Sequence, residues 1–364
     1  MATRKLYYEN AFAQDFTAVV ESCEAVKGGF AVALDRTAFY PEGGGQPADH
    51  GTLGESRVLD VHEKDGVVTH LCDRALSVGA EVGGHIDWAR RFDHMQQHSG
   101  EHIISGLLCS TFHCDNVGFH MGADVVTIDY NAPITWEQAL EVERRANAYI
   151  WADHPIRIWY PSPEELAALP YRSKKALEGP VRITEFPCAD MCACCGTHVL
   201  RSGQVGLVKF LSVQKFREGV RIELLCGKRA LEYLSRTWEQ AKAIGQRLSV
   251  KPVDSEAAVE RLEGELASLK LRCAQLEESV FESMAKEQAG KGNVLLFQPA
   301  MRPDSVRRLM DAVSKTCCGL AAVFAGEEGH YAYALGRADG QDISPLVKAM
   351  NTALHGRGGG RNGF

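Results

Sequence analysis

The chain has 364 residues, of which 45% are hydrophobic and 24% are charged. These values are ordinary for a soluble globular protein with two or three domains. No apolar run is long enough to cross a membrane, and the first ten residues lack the apolar core of a signal peptide, so a cytoplasmic protein is expected. The net charge of -7 excludes a surface covered in positive charge but allows a local basic patch.

Short strands separated by turns are predicted for a first domain, residues 1–88. Gly, Asp and Asn residues bound runs that are rich in β-branched and apolar side chains. The runs are residues 16–20, 29–34, 57–61 and 67–71. A small β-barrel or a β-sandwich fits this pattern.

Mixed helix and strand is predicted for residues 89–235, the second domain. Apolar residues at helical spacing predict a helix over 91–112 and a long amphipathic helix over 135–152. A strand is expected at 125–130. The chain is therefore α+β and multidomain.

A helical connector, residues 236–290, follows. Its second half carries apolar residues at alternating spacings of three and four, which is the heptad pattern of a coiled coil. They are Val259, Leu262, Leu266, Leu269, Cys273, Leu276 and Val280. About three heptads suit either a helical hairpin within the chain or the seam of a homodimer.

The last block, residues 291–364, predicts a small α/β domain. A strand at 294–297, a helix at 305–315, a hairpin of 320–324 with 330–335, and a helix at 345–354 are expected. The block ends in a glycine-rich, cationic tail that contains Arg357 and Arg361.

Two short pairs of metal-binding residues are the most specific signal in the chain. His98 and His102 lie four residues apart on the predicted helix, so they share one face. Cys194 and His198 would complete a tetrahedral set of the kind that zinc prefers. His94 precedes His98 by one turn, but roughly 12 Å of helix separates His94 from His102, so one ion binds only one of the two pairs.

The same helix allows a different reading. Residues 98–102 spell H-x-x-E-H, the signature of an inverted zinc peptidase, with Glu101 as the general base. In that chemistry Cys194 and His198 would have no role. Histidines that only form hydrogen bonds in a partly buried seam are the plain structural alternative.

Twelve cysteines in a long intracellular chain favour reduced thiols or metal ligands over disulfides. Four of them cluster near the second ligand pair: Cys188, Cys192, Cys194 and Cys195. Cys192 and Cys195 could substitute as ligands, or they could form half of a CxxC finger for which the sequence offers no second half. Small buried cysteines of a core loop are the simplest alternative.

A run of three glycines, Gly43, Gly44 and Gly45, precedes Gln46. Such a run lets the backbone approach a ligand closely. No Lys-Ser or Lys-Thr follows, so the run is not a nucleotide-binding P-loop. An ordinary wide turn between strands explains it equally well.

These motifs together resemble the editing domain of alanyl-tRNA synthetase, and more closely the long form of the free-standing alanyl-tRNA editing proteins. The resemblance rests on residues 37–47, the His98/His102 pair and the Cys194/His198 pair, and it extends over essentially the whole chain. It implies an N-terminal β-barrel, an editing domain shared with threonyl-tRNA synthetase, a coiled-coil connector and a C-terminal domain that accompanies DHH-type phosphoesterases.

The resemblance also implies an activity: zinc-dependent hydrolysis of Ser-tRNA(Ala), and of Gly-tRNA(Ala) as a second substrate. By motif match, His98, His102, Cys194 and His198 bind one zinc ion. Thr37 falls where such proteins have a threonine linked to serine recognition. Gly43, Gly44, Gly45 and Gln46 join it as candidate substrate-binding residues.

The chain departs from the family pattern at two positions. Cys195 replaces the second glycine of Cys-Gly-Gly-Thr-His, and residues 116–120 lack a glutamine that many editing sites carry. His120 is the candidate replacement for that glutamine. Relatives continue beyond the glycine-rich stretch, so a truncated tail is expected.

To bind tRNA, a protein must place Lys and Arg side chains against the phosphates, even when its net charge is negative. The candidates are Arg90, Arg91, Lys174, Lys175, Lys215, Arg217, Arg357 and Arg361. A solvated charged face is the alternative for each of them. A peptidase and a tRNA-binding module without activity remain the rival functions.

Overall fold

The computed structural model describes residues 2–173, 179–327 and 329–358. The chain divides into two compact units, Met1–Gln240 and Ala241–Phe364. Helices and strands alternate in both, which confirms the mixed α+β prediction. Domain boundaries at 88, 235 and 290 stay a prediction. None of the helices in the described ranges has the length and apolar character that crossing a membrane requires.

The first unit begins with a six-stranded closed barrel. Its strands occur in the order β2-β3-β7-β6-β5-β8 around the barrel. The elements of this region are β1 (Arg4–Lys5), α1 (Leu6–Glu9), β2 (Asp15–Val26), β3 (Gly29–Leu34), β4 (Arg36–Thr37), β5 (Gly51–Leu53), β6 (Ser56–Lys64), β7 (Val67–Cys72) and β8 (Glu81–Ile86). The short strands β1 and β4 pair in parallel outside the barrel.

Buried and partly exposed side chains alternate along the barrel strands, and the buried ones fill the interior. In β7, Val68, His70 and Cys72 are buried, whereas the residues between them are partly exposed. This is the period of two that a strand with one buried face requires. His70 is a buried polar residue of this region, and it packs edge-on against Phe39 of the apolar core.

A long central helix, α2 (Trp88–Phe112), organises the rest of the first unit. The side chain of Asp87 accepts a hydrogen bond from the Arg90 backbone N–H and caps the helix. The helix ends at His113, whose φ of 50° is left-handed. It is buried on nearly all sides between Arg91 and Leu108, so its side chains form the core.

Two sheets and two further helices surround α2. The elements are β9 (Asn116–Met121), β10 (Val126–Tyr130), α3 (Trp136–Trp151), β11 (Arg157–Trp159), α4 (Pro163–Ala168), β12 (Ile183–Phe186), β13 (Asp190–Ala193), β14 (Val208–Phe216) and β15 (Gly219–Cys226). One sheet has the order β14-β15-β10-β9 and the other the order β11-β12-β13. A capping box of Thr135 and Gln138 starts α3, close to the predicted start.

The helix α5 (Gly227–Leu248) follows and extends past the boundary between the units. The second unit contains α6 (Ser255–Glu287), β16 (Gly292–Gln298), α7 (Pro303–Cys317), β17 (Cys318–Glu327), β18 (His330–Arg337) and α8 (Ser344–Ala353). Its sheet has the order β16-β17-β18, with β16 and β17 parallel and β17 and β18 antiparallel. Val306, Leu309 and Val313 of α7 pack on this sheet and form its core.

Candidate metal centre

The helix α2 presents two buried imidazoles on one face. The ring centroids of His98 and His102 are 5.2 Å apart, and both side chains are nearly inaccessible to solvent. This is the arrangement that a spacing of four residues predicts on a helix.

The second pair, Cys194 and His198, lies in the loop that follows β13. The Cys194 Sγ is 3.5 Å from Nε2 of His98 and 3.4 Å from Nε2 of His198. One donor atom from each of His98, His102, Cys194 and His198 lies within 4.8 Å of the other three. Segments almost a hundred residues apart in the sequence therefore meet at one point.

The spacing of these donors fits a small tetrahedral cation. Bonds of about 2.3 Å from zinc to sulfur and about 2.0–2.1 Å to nitrogen put neighbouring S and N ligands roughly 3.5 Å apart. The observed S–N distances are 3.4 and 3.5 Å. One thiolate and three imidazoles are also ligands of the type that zinc selects.

The other ring nitrogen of each histidine has a partner of its own. His98 Nδ1 lies 3.0 Å from Gln46 Oε1, and His102 Nδ1 lies 2.8 Å from Asp190 Oδ2. His198 Nδ1 lies 3.3 Å from Ser99 Oγ. Because an amide or carboxylate oxygen only accepts, the Nδ1 atoms of His98 and His102 donate, and their Nε2 lone pairs face the cluster.

Asp190 is a part of this site that the sequence analysis overlooked. Its carboxylate accepts a hydrogen bond from His102 Nδ1. Both of its oxygens also accept hydrogen bonds from the Arg172 guanidinium, at 2.7 and 2.8 Å. These bonds hold the pKa of Asp190 below its ordinary value, although burial opposes them. An acidic residue four positions before Cys194 was the available signal, since metal-binding histidines commonly pair with a carboxylate.

The electrostatic environment favours a thiolate at Cys194 and a protonated thiol at Cys192. Burial acts to raise the pKa of Cys194, but His98, His198 and His102 outweigh it and hold that pKa well below the ordinary value. By contrast, burial raises the pKa of Cys192 to about 11, so that thiol keeps its proton. Burial also lowers the pKa of His198 to about 3, which keeps its imidazole neutral.

Neither of the two spare cysteines belongs to the group of four donors. Cys192 forms a separate buried group with His102 and Asp190. Cys195 is exposed, and among the described residues it joins neither group. The geometry therefore favours Cys194 as the thiolate ligand.

The ligand loop is fixed by a buried arginine and a close contact. Arg182 Nη1 donates to the carbonyl oxygens of Cys194 and Gly196 at 2.9 and 2.8 Å. A Cβ added to Gly196 would lie 2.1 Å from Cε1 of His98, so only glycine fits there. The loop is thus pressed directly against the first ligand helix.

The glycine run forms a tight turn that aims Gln46 at the site. The backbones of Gly43 and Gln46 exchange hydrogen bonds, and Gly44 and Gly45 have φ values of 60° and 86° between them. The Gln46 Nε2 donates to Thr197 Oγ1 at 2.8 Å, and its Oε1 accepts from the Thr197 N–H at 3.1 Å. Gln46 therefore links the turn, the ligand loop and His98.

Thr37 lies elsewhere, fully buried in the barrel region. Its Oγ1 accepts from the Phe39 N–H at 3.1 Å and lies 2.8 Å from His70 Nε2. His70 Nδ1 faces the Val32 carbonyl, so Nδ1 donates and Nε2 accepts the threonine proton. The Thr37 hydroxyl already has a donor and an acceptor, which leaves one lone pair for any other contact.

The candidate His120 is exposed on β9 and lies apart from the cluster. Its neighbour Phe119 stacks on the His98 ring, with centroids 5.5 Å apart and 21° between the planes. Successive residues of a strand face opposite sides, so the aromatic residue and not His120 contacts the ligand. No sequence motif predicts Phe119 as a residue of the site.

Glu101, the general base of the peptidase alternative, is buried. Its Oε1 accepts from Ser105 Oγ at 2.8 Å and from Asn116 Nδ2 at 2.5 Å. Its Oε2 lies 3.9 Å from His102 Nε2. The carboxylate thus stands close behind the ligand shell.

The predicted tRNA-contacting residues divide into several groups. Lys215 and Arg217 are exposed at the β14–β15 turn, and Arg357 is exposed in the second unit. Arg90 is half-buried and donates to the Ala48 carbonyl. Lys174, Lys175 and Arg361 lie outside the described residues.

The prediction that Arg91 contacts tRNA is wrong. It is completely buried and forms an ion pair with Asp49, through Nε at 2.9 Å and through Nη2. Its remaining donors reach the carbonyls of Ala11 and Ala38. A completely buried guanidinium whose three nitrogens all bond inside the protein cannot bind a phosphate, so Arg91 is structural.

Two segments match known families. Residues 2–90 match the class II (A) tRNA synthetases, and residues 181–223 match the second additional domain of threonyl and alanyl tRNA synthetases. The second match contains Cys194, His198 and Arg182.

Similar proteins extend over most of the chain. It is 28% identical to alanyl-tRNA editing protein AlaX-L of Pyrococcus horikoshii over 98% of this chain and 92% of that protein. It is 30% identical to alanyl-tRNA editing protein Aarsd1 of Mus musculus over 71% of this chain and 67% of that protein. The chain belongs to the alanyl-tRNA editing proteins.

This editing protein also resembles longer enzymes. It is 32% identical to the alanine–tRNA ligase of Thermofilum pendens over 98% of the present chain. It spans only 41% of that ligase, about two fifths of its length. The similarity therefore covers a part of the ligase.

Proposed function

We propose that this chain is an aminoacyl-tRNA deacylase that hydrolyses the ester of tRNA(Ala) wrongly charged with serine. Gly-tRNA(Ala) is the second candidate substrate. The observation that carries the proposal is the convergence of His98, His102, Cys194 and His198, from two distant motifs, within 4.8 Å. Membership of the alanyl-tRNA editing family supports the same substrate class.

One zinc ion is the proposed cofactor, held by the four converging side chains. When bound, zinc supplies Lewis-acid chemistry to the ester or to the attacking water. The distances, the thiolate at Cys194 and the occupied Nδ1 atoms support this choice.

The residues of the chain have separate tasks in this proposal. Gln46 and Asp190 hold protons at Nδ1 of His98 and His102, which fixes the tautomer that turns both Nε2 atoms to the site. Arg182 and Gly196 fix the loop that carries Cys194.

Selection of serine follows from its hydroxyl. A pocket sized for alanine rejects serine poorly, which is why a separate hydrolytic site is needed. A site with a hydrogen-bonding partner for the hydroxyl favours serine over alanine, because that partner would otherwise stay buried and unpaired. Thr37 and the turn of residues 43–46 remain the proposed substrate-binding residues, with His120 as a further candidate.

Phosphate contacts from Arg90, Lys215, Arg217 and Arg357 are proposed to hold the tRNA, with Lys174, Lys175 and Arg361 as further candidates. The proposal also includes a homodimer through the connector or the C-terminal domain, a C-terminal domain of the DHH-associated type and a cytoplasmic location.

Deacylation of purified substrates tests the function. The protein, supplied with zinc, is incubated with Ser-tRNA(Ala), Gly-tRNA(Ala) and Ala-tRNA(Ala), and release of each amino acid is measured. Rapid release of serine and slow release of alanine are expected, with loss of activity in His98→Ala and Cys194→Ala. Cys318→Ala, an exposed cysteine of the second unit, is the matched control. Tight tRNA binding without release would favour a binding module.

A peptidase is the rival enzyme, favoured by the buried Glu101 beside His102. In that case Glu101→Gln would abolish cleavage of a peptide substrate and Cys194→Ala would retain it. The position of Cys194 among the three imidazoles argues against this reading. Peptide cleavage that persists in Cys194→Ala would overturn the deacylase proposal.

A further inference from the structure

A cavity of about 780 Å³ lies in the first unit, and none of the four converging metal-binding side chains lines it. Its walls come from the first turns of α2 and α5 and from the turn between β9 and β10. All of its lining residues belong to Met1–Gln240. We call it the α2–α5 cavity.

His94 lines this cavity and lacks a hydrogen bond. Its side chain is only 2% exposed, and its Nδ1 atom has no hydrogen-bonding partner among the described residues. Burial, together with Arg90, Arg229 and Arg91, lowers the pKa of His94 to about 3, so the imidazole is neutral and carries one N–H donor. Because an unpaired buried polar atom is unfavourable, a ligand that bonds to this ring would supply the missing partner.

Most carboxylates at the α2–α5 cavity are already neutralised. Asp93 pairs with Arg229 at 2.6 Å, and Glu232 pairs with Lys228 at 2.9 Å. The carboxylate of Asp87 caps the first turn of α2. These acids therefore do little to repel an anion.

Two guanidinium groups at the cavity remain available. Arg90 donates through Nε to the Ala48 carbonyl, and its two Nη atoms have no partner among the described residues. Arg236 is exposed and forms no ion pair with any described residue. Asp124, exposed on the β9–β10 turn, is the remaining acid. The N-terminus of α2 adds partial positive charge, so the cavity favours a phosphate.

Tyr233 adds an aromatic ring to the same cavity. Arg229, Tyr233 and Arg236 are spaced by four and three residues, so they share one face of α5. The Tyr233 side chain is 40% exposed, which leaves its ring accessible to a planar group. An aromatic ring beside arginine is a common arrangement for binding the bases and phosphates of single-stranded RNA.

The cavity adjoins the metal centre along two paths. His94 precedes His98 by one turn of α2, about 6 Å along the helix axis. Pro47, another lining residue, follows Gln46, whose Oε1 lies 3.0 Å from His98 Nδ1. A group bound in the cavity is therefore close to a substrate at the metal centre.

We propose that the α2–α5 cavity binds one nucleotide of the tRNA 3′ strand, next to the nucleotide that carries the ester. Arg90, Arg236 and the first turn of α2 bind its phosphate. Its base packs on Tyr233 and forms a hydrogen bond with His94. The choice of tRNA as the source of this nucleotide rests on the proposed deacylase activity, whereas the chemistry of the cavity does not.

Binding of uncharged RNA tests the cavity without any hydrolytic step. A labelled single-stranded RNA that ends in CCA, as tRNA does, is titrated into the full chain supplied with zinc, and fluorescence anisotropy gives the dissociation constant. His94→Leu and Arg236→Ala are each expected to raise that constant about tenfold. Arg247→Ala is the matched control, because Arg247 is an exposed arginine about three turns further along α5 and does not line the cavity. Unchanged RNA binding by His94→Leu or Arg236→Ala would overturn the proposal.

Urea unfolding separates a ligand contact from a structural role at His94. Because its Nδ1 has no partner in the protein, His94→Leu is expected to be as stable as the parent chain or more stable. A less stable variant whose RNA binding recovers on refolding at low temperature would show that the lost affinity came from unfolding, and would overturn the contact with the base.

Two comparisons identify the source of the nucleotide. Adenosine 5′-monophosphate is expected to bind more weakly than the RNA, and equal affinity would assign the cavity to a free nucleotide instead. Deacylation of Ser-tRNA(Ala) with the same KM in the parent, His94→Leu and Arg236→Ala proteins would refute the cavity and leave the function standing. RNA binding that depends on both residues in a chain that releases no serine would refute the function and leave the cavity standing.

Discussion

Gln46 connects three parts of the metal centre through one amide group. It accepts from His98 Nδ1, and both ends of the amide bind Thr197 in the ligand loop. A side chain that orients a ligand in this way commonly affects metal affinity by 10- to 100-fold.

Gln46→Ala should therefore lower the affinity for zinc by about 10- to 100-fold while the fold is retained. The variant loses the acceptor that fixes the His98 tautomer. Competition with a chromophoric chelator measures the affinity. Gln214→Ala, at an exposed glutamine on β14, is the control and should bind zinc like the parent chain. Equal affinities for both variants would assign Gln46 no positioning role.

Gly196→Ala should disrupt zinc binding more severely. Its new Cβ would lie 2.1 Å from Cε1 of His98, and neither the buried ring nor the arginine-bound loop has space to move. Gly264→Ala is the control, because no atom lies within 4 Å of the new Cβ on the exposed part of α6. Zinc content after dialysis distinguishes the two. A Gly196→Ala protein with full zinc content would show that the loop can retreat.

His70 should make the barrel sensitive to acid. Burial lowers its pKa to about 4, whereas the unfolded chain has a value near 6.5. Because the folded pKa is the lower one, its contribution to stability is complete above pH 6.5 and is lost as the pH falls towards 4, by roughly 3 kcal/mol in all.

Urea unfolding at several pH values between 4 and 7 measures this effect. His70→Gln should be less stable at pH 7, because the packing around Thr37 changes, but should show a flatter pH profile. His62→Gln, at an exposed histidine, should keep the profile of the parent chain. An unchanged slope in His70→Gln would mean that another group controls acid unfolding.

The side chains of each converging pair could be predicted from the sequence to lie close together, since local spacing determines which side chains share a helix face or a turn. Their supports could not. Arg182 and Phe119 reach the site through loop packing and strand pairing, which no spacing in the sequence reveals, and for Asp190 the sequence offers only its position four residues before Cys194. The prediction for Arg91 was wrong for the same reason, because the sequence does not distinguish a buried arginine from an exposed one.

At the scale of elements, α2 begins with two adjacent arginines that have opposite environments. Arg90 is half-buried with its side chain near the surface, and Arg91 is buried against Asp49. Removal of one partner of a buried ion pair commonly costs about 3–5 kcal/mol, because the other charge stays buried and unpaired.

Arg91→Ala should therefore destabilise the protein by about 3–5 kcal/mol in thermal or urea unfolding. Arg90→Ala should leave stability nearly unchanged, but should weaken tRNA binding and reduce its salt dependence by about one counterion. Filter binding over a range of salt concentrations measures the second effect. If Arg90→Ala binds tRNA normally, α2 does not contact the phosphate backbone.

Helices with a strong apolar period were predicted to within a few residues. The helix predicted over 91–112 is Trp88–Phe112, and the helix predicted over 135–152 is Trp136–Trp151. In contrast, β5 has three residues and β4 two, too short for an alternating pattern to stand out. Closure of a barrel also depends on pairing between strands distant in sequence, such as β2 with β8, which periodicity does not encode.

At the scale of the whole molecule, the metal centre should act as a cross-link. Its ligands come from α2 and from the loop after β13, so a bound ion joins segments 92 or more residues apart. Binding to the folded state alone raises stability in proportion to the logarithm of free zinc over the dissociation constant.

Removal of zinc by a strong chelator should thus lower the melting temperature of the first unit, and added zinc should restore it. Differential scanning calorimetry follows both units in one experiment. In Cys194→Ser the shift should be much smaller, and Cys318→Ser is the control with an intact site. A melting curve that is insensitive to the chelator in the zinc-loaded parent protein would contradict a bound structural ion.

The Arg91 ion pair and the Gln46 amide affect how the barrel and α2 can be exchanged between genes. Both join the segment before residue 88 to α2, one through Asp49, Ala38 and Ala11, the other through His98. A protein without the barrel residues would lack Asp49, the carboxylate that pairs with the buried Arg91. It would also lack Gln46, the acceptor that fixes the tautomer of His98. Recombination that keeps the barrel and the histidine helix together therefore preserves both contacts.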